Sequence, residues 1–284
     1  MSRPLLVEAP PGRPTRPLVL APDVVFGGDL PVVIGGPCAV ESEEQVLRLA
    51  RAVVAAGGRV FRGGAYKPRS SPYSFQGLGR RGLELLRAVK AETGLLICTE
   101  ALDVDCIDAV AEVADLVQIG SRNMDNTTLL KRAGAIGKPV LLKRGFAATL
   151  DELLLAAEYV AAHSPAPDDA RRARVILCER GIRTFCDHSR NTLDLHAVLR
   201  LRARTDLPII VDPSHAAGLT EDVVPLARAA LVVGADGLIV EVHDRPAEAL
   251  CDGEQAISPG AYAELVADAP VISGWGRGAT RRRS

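Results

Sequence analysis

A single closed (β/α)8 barrel is the fold class this sequence predicts, on three observations. Eight short β-branched or aliphatic runs follow one another after residue 30. Longer Ala- and Leu-rich segments with helical signals separate them. The chain has 284 residues, 48% of them hydrophobic, enough for one large core and for one barrel of about 250 residues. Two small domains would also fit that length. A doubly wound open sheet would share the alternation, but eight repeats in this length favour closure.

Residues 1–30 come first and are rich in proline: Pro4, Pro10, Pro11, Pro14, Pro17 and Pro22. They carry Arg3 and Arg13 but no continuous apolar stretch, so an extended arm is expected rather than a targeting peptide. Residues 31–270 form the expected barrel. Its strands are read at Val32–Gly35, Arg59–Arg62, Leu95–Glu100, Leu116–Gly120, Val140–Lys143, Val175–Glu179, Ile209–Asp212 and Leu238–Val242. Continuous apolar runs of this kind belong to a parallel sheet buried on both faces. Among the spacers, Ser42-Glu43-Glu44 opens a helix over Gln45–Ala56, and Thr149-Leu150-Asp151-Glu152 opens one over Leu153–Ala162. Helices end at Gly57-Gly58 and before Pro139. Residues 271–284 are expected to be a flexible tail ending in the basic run Arg281-Arg282-Arg283.

A net charge of −1 argues against a general nucleic-acid binder. No apolar stretch reaches the roughly 18–20 residues that span a bilayer. The six cysteines, Cys38, Cys98, Cys106, Cys178, Cys186 and Cys251, show no paired spacing, which fits reduced thiols in a cytoplasm.

In such a barrel the active site lies at the C-terminal face of the strands. Ionisable groups stand at or just beyond the strand ends. They include Arg62, Lys67 and Arg69 after the second run, Glu100 at the third, Arg122 after the fourth and Lys143-Arg144 at the fifth. Glu179-Arg180, Asp212 with His215, and Glu241 with His243 follow at the last three. Arg62, Lys67, Arg69, Arg122, Lys143 and Arg180 form a cationic set suited to phosphate and carboxylate groups. Cys38, His215, Glu241 and Asp252 offer a thiolate, an imidazole and two carboxylates to a divalent cation. They meet only if the barrel closes and its last strand adjoins the first. The other five cysteines read as structural or incidental.

These segments resemble the short type I (β) 3-deoxy-7-phosphoheptulonate (DAHP) synthases, relatives of the 3-deoxy-octulosonate 8-phosphate synthases. The resemblance rests on Gly36-Pro37-Cys38-Ala39-Val40-Glu41, on Phe61 through Gly77 with its Lys67-Pro68-Arg69-Ser70, and on Gln118 through Asn123. Leu142 through Gly145, Cys178 through Phe185, Arg190 through Asp194, Asp212 through His215, Val240 through His243 and Asp252-Gly253 continue it in order. It covers about residues 30–257. It implies condensation of phosphoenolpyruvate with erythrose 4-phosphate, the first step toward shikimate and the aromatic amino acids.

Carried over by position, the metal ligands fall on Cys38, His215, Glu241 and Asp252, and the ion could be Mn, Fe, Co, Zn or Cu. Phosphoenolpyruvate contacts fall on Arg62, Lys67, Arg122, Lys143 and Arg180. The aldose phosphate falls to Lys67 through Ser70, with Asp212 near the aldose hydroxyls. Lys67 is the expected proton donor and Glu100 the expected orienter of water. The resemblance further implies a dimer or tetramer, a cytoplasmic location and, given about 30 residues on either side of the motifs, no separate regulatory domain. Departures are Ser121 where relatives carry Ala, Thr127-Thr128 where they are bulkier, and a longer polar loop over His163–Arg174. Two alternatives stand beside this reading: an octulosonate synthase taking arabinose 5-phosphate, and a catalytically silent barrel serving as a binding subunit. Pro68 and Arg69 favour erythrose 4-phosphate over the first.

Overall fold

The computed structural model describes residues 5–167 and 174–281. Residues 168–173 of the expected polar loop, and Arg282 and Arg283 of the basic run, lie outside the described residues. A two-stranded antiparallel hairpin, β1 (Leu18–Ala21) and β2 (Val24–Phe26), precedes the barrel. The chain then runs β3 (Val32–Gly36), α1 (Glu43–Ala55), β4 (Val60–Arg62), α2 (Arg80–Thr93), β5 (Leu96–Ala101), α3 (Ile107–Val113) and β6 (Leu116–Ile119). It continues as α4 (Thr127–Ala135), β7 (Val140–Lys143), α5 (Leu150–Ala162), β8 (Val175–Glu179), α6 (Leu195–Arg202) and β9 (Ile209–Val211). The last elements are α7 (Pro213–Ala217), α8 (Thr220–Val232), β10 (Gly237–Glu241) and α9 (Pro259–Arg281). Strands β3 to β10 form a closed parallel barrel, with β10 pairing back onto β3 in the register Glu241 to Gly36.

The helices start where the sequence places their caps. The Ser42 hydroxyl accepts the Gln45 amide at 3.1 Å at the head of α1. Thr149 and Glu152 cap α5 reciprocally, the Thr149 hydroxyl accepting the Glu152 amide at 3.2 Å while the Glu152 carboxylate accepts the Thr149 amide at 2.7 Å. Val46, Leu49, Ala50 and Val53 of α1 are buried at the spacing of one helical face.

Strand alternation divides the barrel interior into two zones. Ile34, Val60, Cys98, Leu116, Leu141, Ile176, Ile210 and Ile239, one from each strand, are buried together in an apolar base. Two residues further along most of these strands, on the same face, stand Arg62, Glu100, Gln118, Lys143, Asp212 and Glu241, all of them buried. At β3 this position is Gly36, whose φ of 148° and contact with the Arg62 carbonyl leave no room for a Cβ. The base is therefore hydrocarbon and the upper interior charged.

Two expectations need correction. The proline-rich arm is not simply extended, because Leu18, Val24 and Phe26 of its hairpin pack into the apolar base and close that end of the barrel. Pro17 directly precedes β1 and Pro22 sits in the turn, where no ladder hydrogen bond is lost. The segment from residue 271 is helical as far as Arg281. Tyr262, Leu265, Ala269 and Ile272 are buried in one stripe that continues past Pro270, so burial outweighs the cost of proline within the helix.

Replacing Phe26 with Ala should lower the unfolding free energy by about 3–5 kcal/mol, measured by urea titration. A loss below about 1 kcal/mol would mean that the hairpin does not hold the base closed.

Candidate active site

Residue Asp212 organises one side of the barrel mouth. Its position before Pro213 makes it the N-cap of α7, and its Oδ1 accepts the His215 amide at 2.9 Å. Its Oδ2 accepts from His215 Nδ1 at 2.7 Å and also pairs with Lys143. Burial alone would raise this carboxyl, yet His215, Lys143 and Arg180 hold it well below the ordinary carboxylate range. Because Nδ1–H is committed to Asp212, the neutral imidazole turns its Nε2 lone pair to the barrel axis. There it stands 3.2 Å from Glu241 Oε1.

Cys38, His215, Glu241 and Asp252 each present one ligand atom, all within 4.8 Å of one another. Cys38 Sγ is 3.1 Å from Asp252 Oδ2. Glu241 also accepts from Arg62 at 2.5 Å and from Gln255 at 2.6 Å. Asp252, at φ 53°, is the one non-glycine residue with positive φ among the described residues, so backbone strain falls on a member of the cluster. The set fits a divalent cation. A bare imidazole nitrogen facing a carboxylate oxygen, beside a sulfur facing another, needs positive charge between the partners. With the protein groups alone, the hydrogen bond to Cys251, burial and Glu241 raise the Cys38 thiol well above its ordinary value, and a bound cation reverses that balance.

Beside this cluster lies a cavity of about 250 Å³. Arg62, Lys67, Arg69, Ser70, Glu100, Arg122, Lys143, Arg180, His215 and Asp252 line it, so the structure brings these sequence-predicted groups to one mouth. Glu241, Asp212 and Cys38 sit against that wall through their bonds to Arg62, His215 and Lys67. Lys67 Nζ donates to Cys38 Sγ at 2.9 Å and to the Cys38 carbonyl at 3.1 Å. Burial alone would lower this ammonium, but the sulfurs of Cys38 and Cys251 raise it, so Lys67 stays protonated. Arg62 Nε, Ser121 Oγ, and Arg180 Nε and Nη1 are buried without a hydrogen-bond partner. Unpaired donors at a cationic cavity match an anionic ligand.

Strand ends that looked alike in sequence are divided by the alternation. Lys143 and Arg180 point into the mouth, whereas Arg144 and Glu179 pair with each other outside it at 2.9 Å, with Asp194 also 2.9 Å from Arg144. His243 is buried against Gln45 and stands apart from the four-residue cluster. Cys251, read as incidental, has its Sγ 3.4 Å from Cys38 Sγ and also contacts Arg69. Its adjacency to Asp252 was the available signal. Gln118 donates to Glu100 at 2.9 Å and Arg190 to Asp252 at 3.1 Å. Neither was singled out from the sequence, although both lie within the quoted motifs. Cys98 and Cys178 are buried in the barrel base, where burial pushes the Cys98 thiol up to about 12.

Comparison with known proteins agrees with this geometry. The family model described as the DAHP synthetase I family matches residues 10–271. The phospho-2-dehydro-3-deoxyheptonate aldolase of Thermotoga maritima is 51% identical over 244 residues, covering 86% of this chain and 70% of the relative. A crystal structure of that DAHP synthase superposes with a TM-score of 0.85 at 47% identity, covering 92% of this chain and 73% of the other. The 2-dehydro-3-deoxyphosphooctonate aldolase of Syntrophotalea carbinolica is 34% identical over 255 residues, covering 83% of this chain and 88% of the relative.

Because the Glu179–Arg144 pair is buried outside the mouth, Glu179→Gln should cost about 3 kcal/mol of stability, the scale of an uncompensated buried charge. Urea unfolding measures this, and an unchanged midpoint would show that Asp194 alone balances Arg144.

Proposed function

The chain belongs to the DAHP synthetase I family, and on that basis we propose that it condenses phosphoenolpyruvate with erythrose 4-phosphate and water to give DAHP and phosphate. The observation that carries the substrate assignment is the pairing of one four-ligand cluster with one cavity of unpaired cationic donors. An enol phosphate bears a phosphate and a carboxylate, and an aldose phosphate bears another phosphate. Together they match the number and spread of cations better than a single anion would.

In this reading Arg122, Lys143 and Arg180 hold the phosphoenolpyruvate phosphate, while Arg62 and Lys67 face its carboxylate. Fixed donors of this kind stabilise charge as it develops, without reorganising. Lys67 through Ser70 hold the aldose phosphate, and Asp212 meets the aldose hydroxyls. The enol C3 attacks the aldehyde, water adds at C2, and the C2–O bond to phosphate then breaks, so phosphate leaves with the bridging oxygen. Lys67, kept protonated beside Cys38, gives a proton to the new alkoxide. Glu100, oriented by the Gln118 amide at 2.9 Å, positions the water. Cys38, His215, Glu241 and Asp252 would hold a divalent cation, which supplies Lewis-acid polarisation of the aldehyde oxygen. Among the described residues no helix is long and apolar enough to cross a membrane.

The octulosonate alternative shares the mouth and differs in the acceptor. Pro68 and Arg69 line the cavity beside Ser70, which supports the shorter aldose.

Stripping the enzyme with a chelator should abolish phosphate release from phosphoenolpyruvate with erythrose 4-phosphate, and adding back a divalent metal should restore it. Arabinose 5-phosphate should support little turnover. Cys38→Ala and His215→Ala should each remove metal-dependent turnover. Unchanged rates in both variants would overturn the metal assignment, and preference for arabinose 5-phosphate would overturn the acceptor.

A further inference from the structure

Three guanidinium groups gather on one aromatic ring at the edge of the mouth. Arg180 and Arg183 lie 4.8 Å from the Phe146 ring centroid, and Arg122 lies 5.6 Å from it. The arrangement is stitched through the backbone as well, because the Arg183 amide donates to the Phe146 carbonyl at 2.7 Å. That bond ties the loop after β7 to the loop after β8.

These cations make no direct ion pair, although the Asp212 carboxylate lies close enough to act on Arg180. Among the described residues, none of Arg122, Arg180 and Arg183 makes a salt bridge to a carboxylate, and Arg180 is buried with two unpaired nitrogens. Of the three, Arg180 is buried, while Arg122 and Arg183 are exposed. The other buried cations of the same mouth are paired directly, Arg62 with Glu241 and Lys143 with Asp212, and a carboxylate in that position offsets part of the charge that an anion feels. The negative face of a neutral ring attracts guanidinium groups and leaves their charge intact. Arg122, Arg180 and Phe146 line the cavity, and Arg183 does not.

We infer that Phe146 is a positioning residue that aims Arg122 and Arg180 at the phosphate of phosphoenolpyruvate, with Arg183 bracing the ring from outside. This rests on the substrate reading given above. In this reading the ring acts through the guanidinium groups and not on the reacting carbons, so its contribution is expected in the KM for phosphoenolpyruvate.

The test compares Phe146→Leu, which keeps apolar volume but removes the aromatic face, with Phe146→Tyr, which keeps the face. Steady-state kinetics are measured with both substrates on the metal-loaded enzyme, and thermal unfolding is followed in parallel. Phe146→Leu should raise KM for phosphoenolpyruvate about tenfold, the scale of two weakened cation–π contacts, with kcat and KM for erythrose 4-phosphate little changed. Phe146→Tyr should stay close to the parent enzyme in all three. Equal KM values in the Leu and Tyr variants, whether both raised or both unchanged, would reduce Phe146 to a packing residue and overturn the inference. Arg180→Ala serves as the control. If it raises KM for phosphoenolpyruvate while Phe146→Leu does not, only the positioning role fails. If Arg180→Ala leaves that KM unchanged, the assignment of the cavity to phosphoenolpyruvate fails with it.

Discussion

A parallel strand repeats its direction every second residue, and a closed barrel turns that repeat into layers. All else at this site depends on that constraint. Once Ile34, Val60, Cys98, Leu116, Leu141, Ile176, Ile210 and Ile239 occupy the base, same-facing residues one step up have only one another and the mouth for company. Arg62, Glu100, Lys143, Asp212 and Glu241 are buried there. Such a concentration of charge persists only because most members are paired, Arg62 with Glu241 and Lys143 with Asp212. The exception above all is Arg180, whose Nε and Nη1 are buried without a hydrogen-bond partner.

Asp212 shows how local and long-range demands are met by one side chain. The Asp-Pro dipeptide starts α7, and that helix brings His215 to the axis. The same carboxylate fixes the imidazole tautomer and pairs with Lys143 across from it. Helix capping, ring orientation and placement of a cation are thereby coupled, so a change at this residue cannot be confined to one of them.

Much of the fold and site was legible because it follows from periodicity and connectivity. Alternating runs locate the strands within a residue, as at β7 and β8, and strand closure is what lets Cys38 meet His215, Glu241 and Asp252. Three features were not legible, each for a physical reason. The proximity of Cys251 to Cys38 arises from a loop with positive φ at Asp252, outside any repeat. Phe146 has no sequence pattern joining it to three arginines spread over two other loops. The hairpin was obscured by the prolines around it, although Leu18, Val24 and Phe26 hold the side chains that matter.

That hairpin bears on durability. With Leu18, Val24 and Phe26 packed over the far end, the apolar layer is kept from water on the side away from the mouth. The charged groups above therefore rest on a floor whose cohesion comes from hydrocarbon contact, well away from the polar pairs at the mouth.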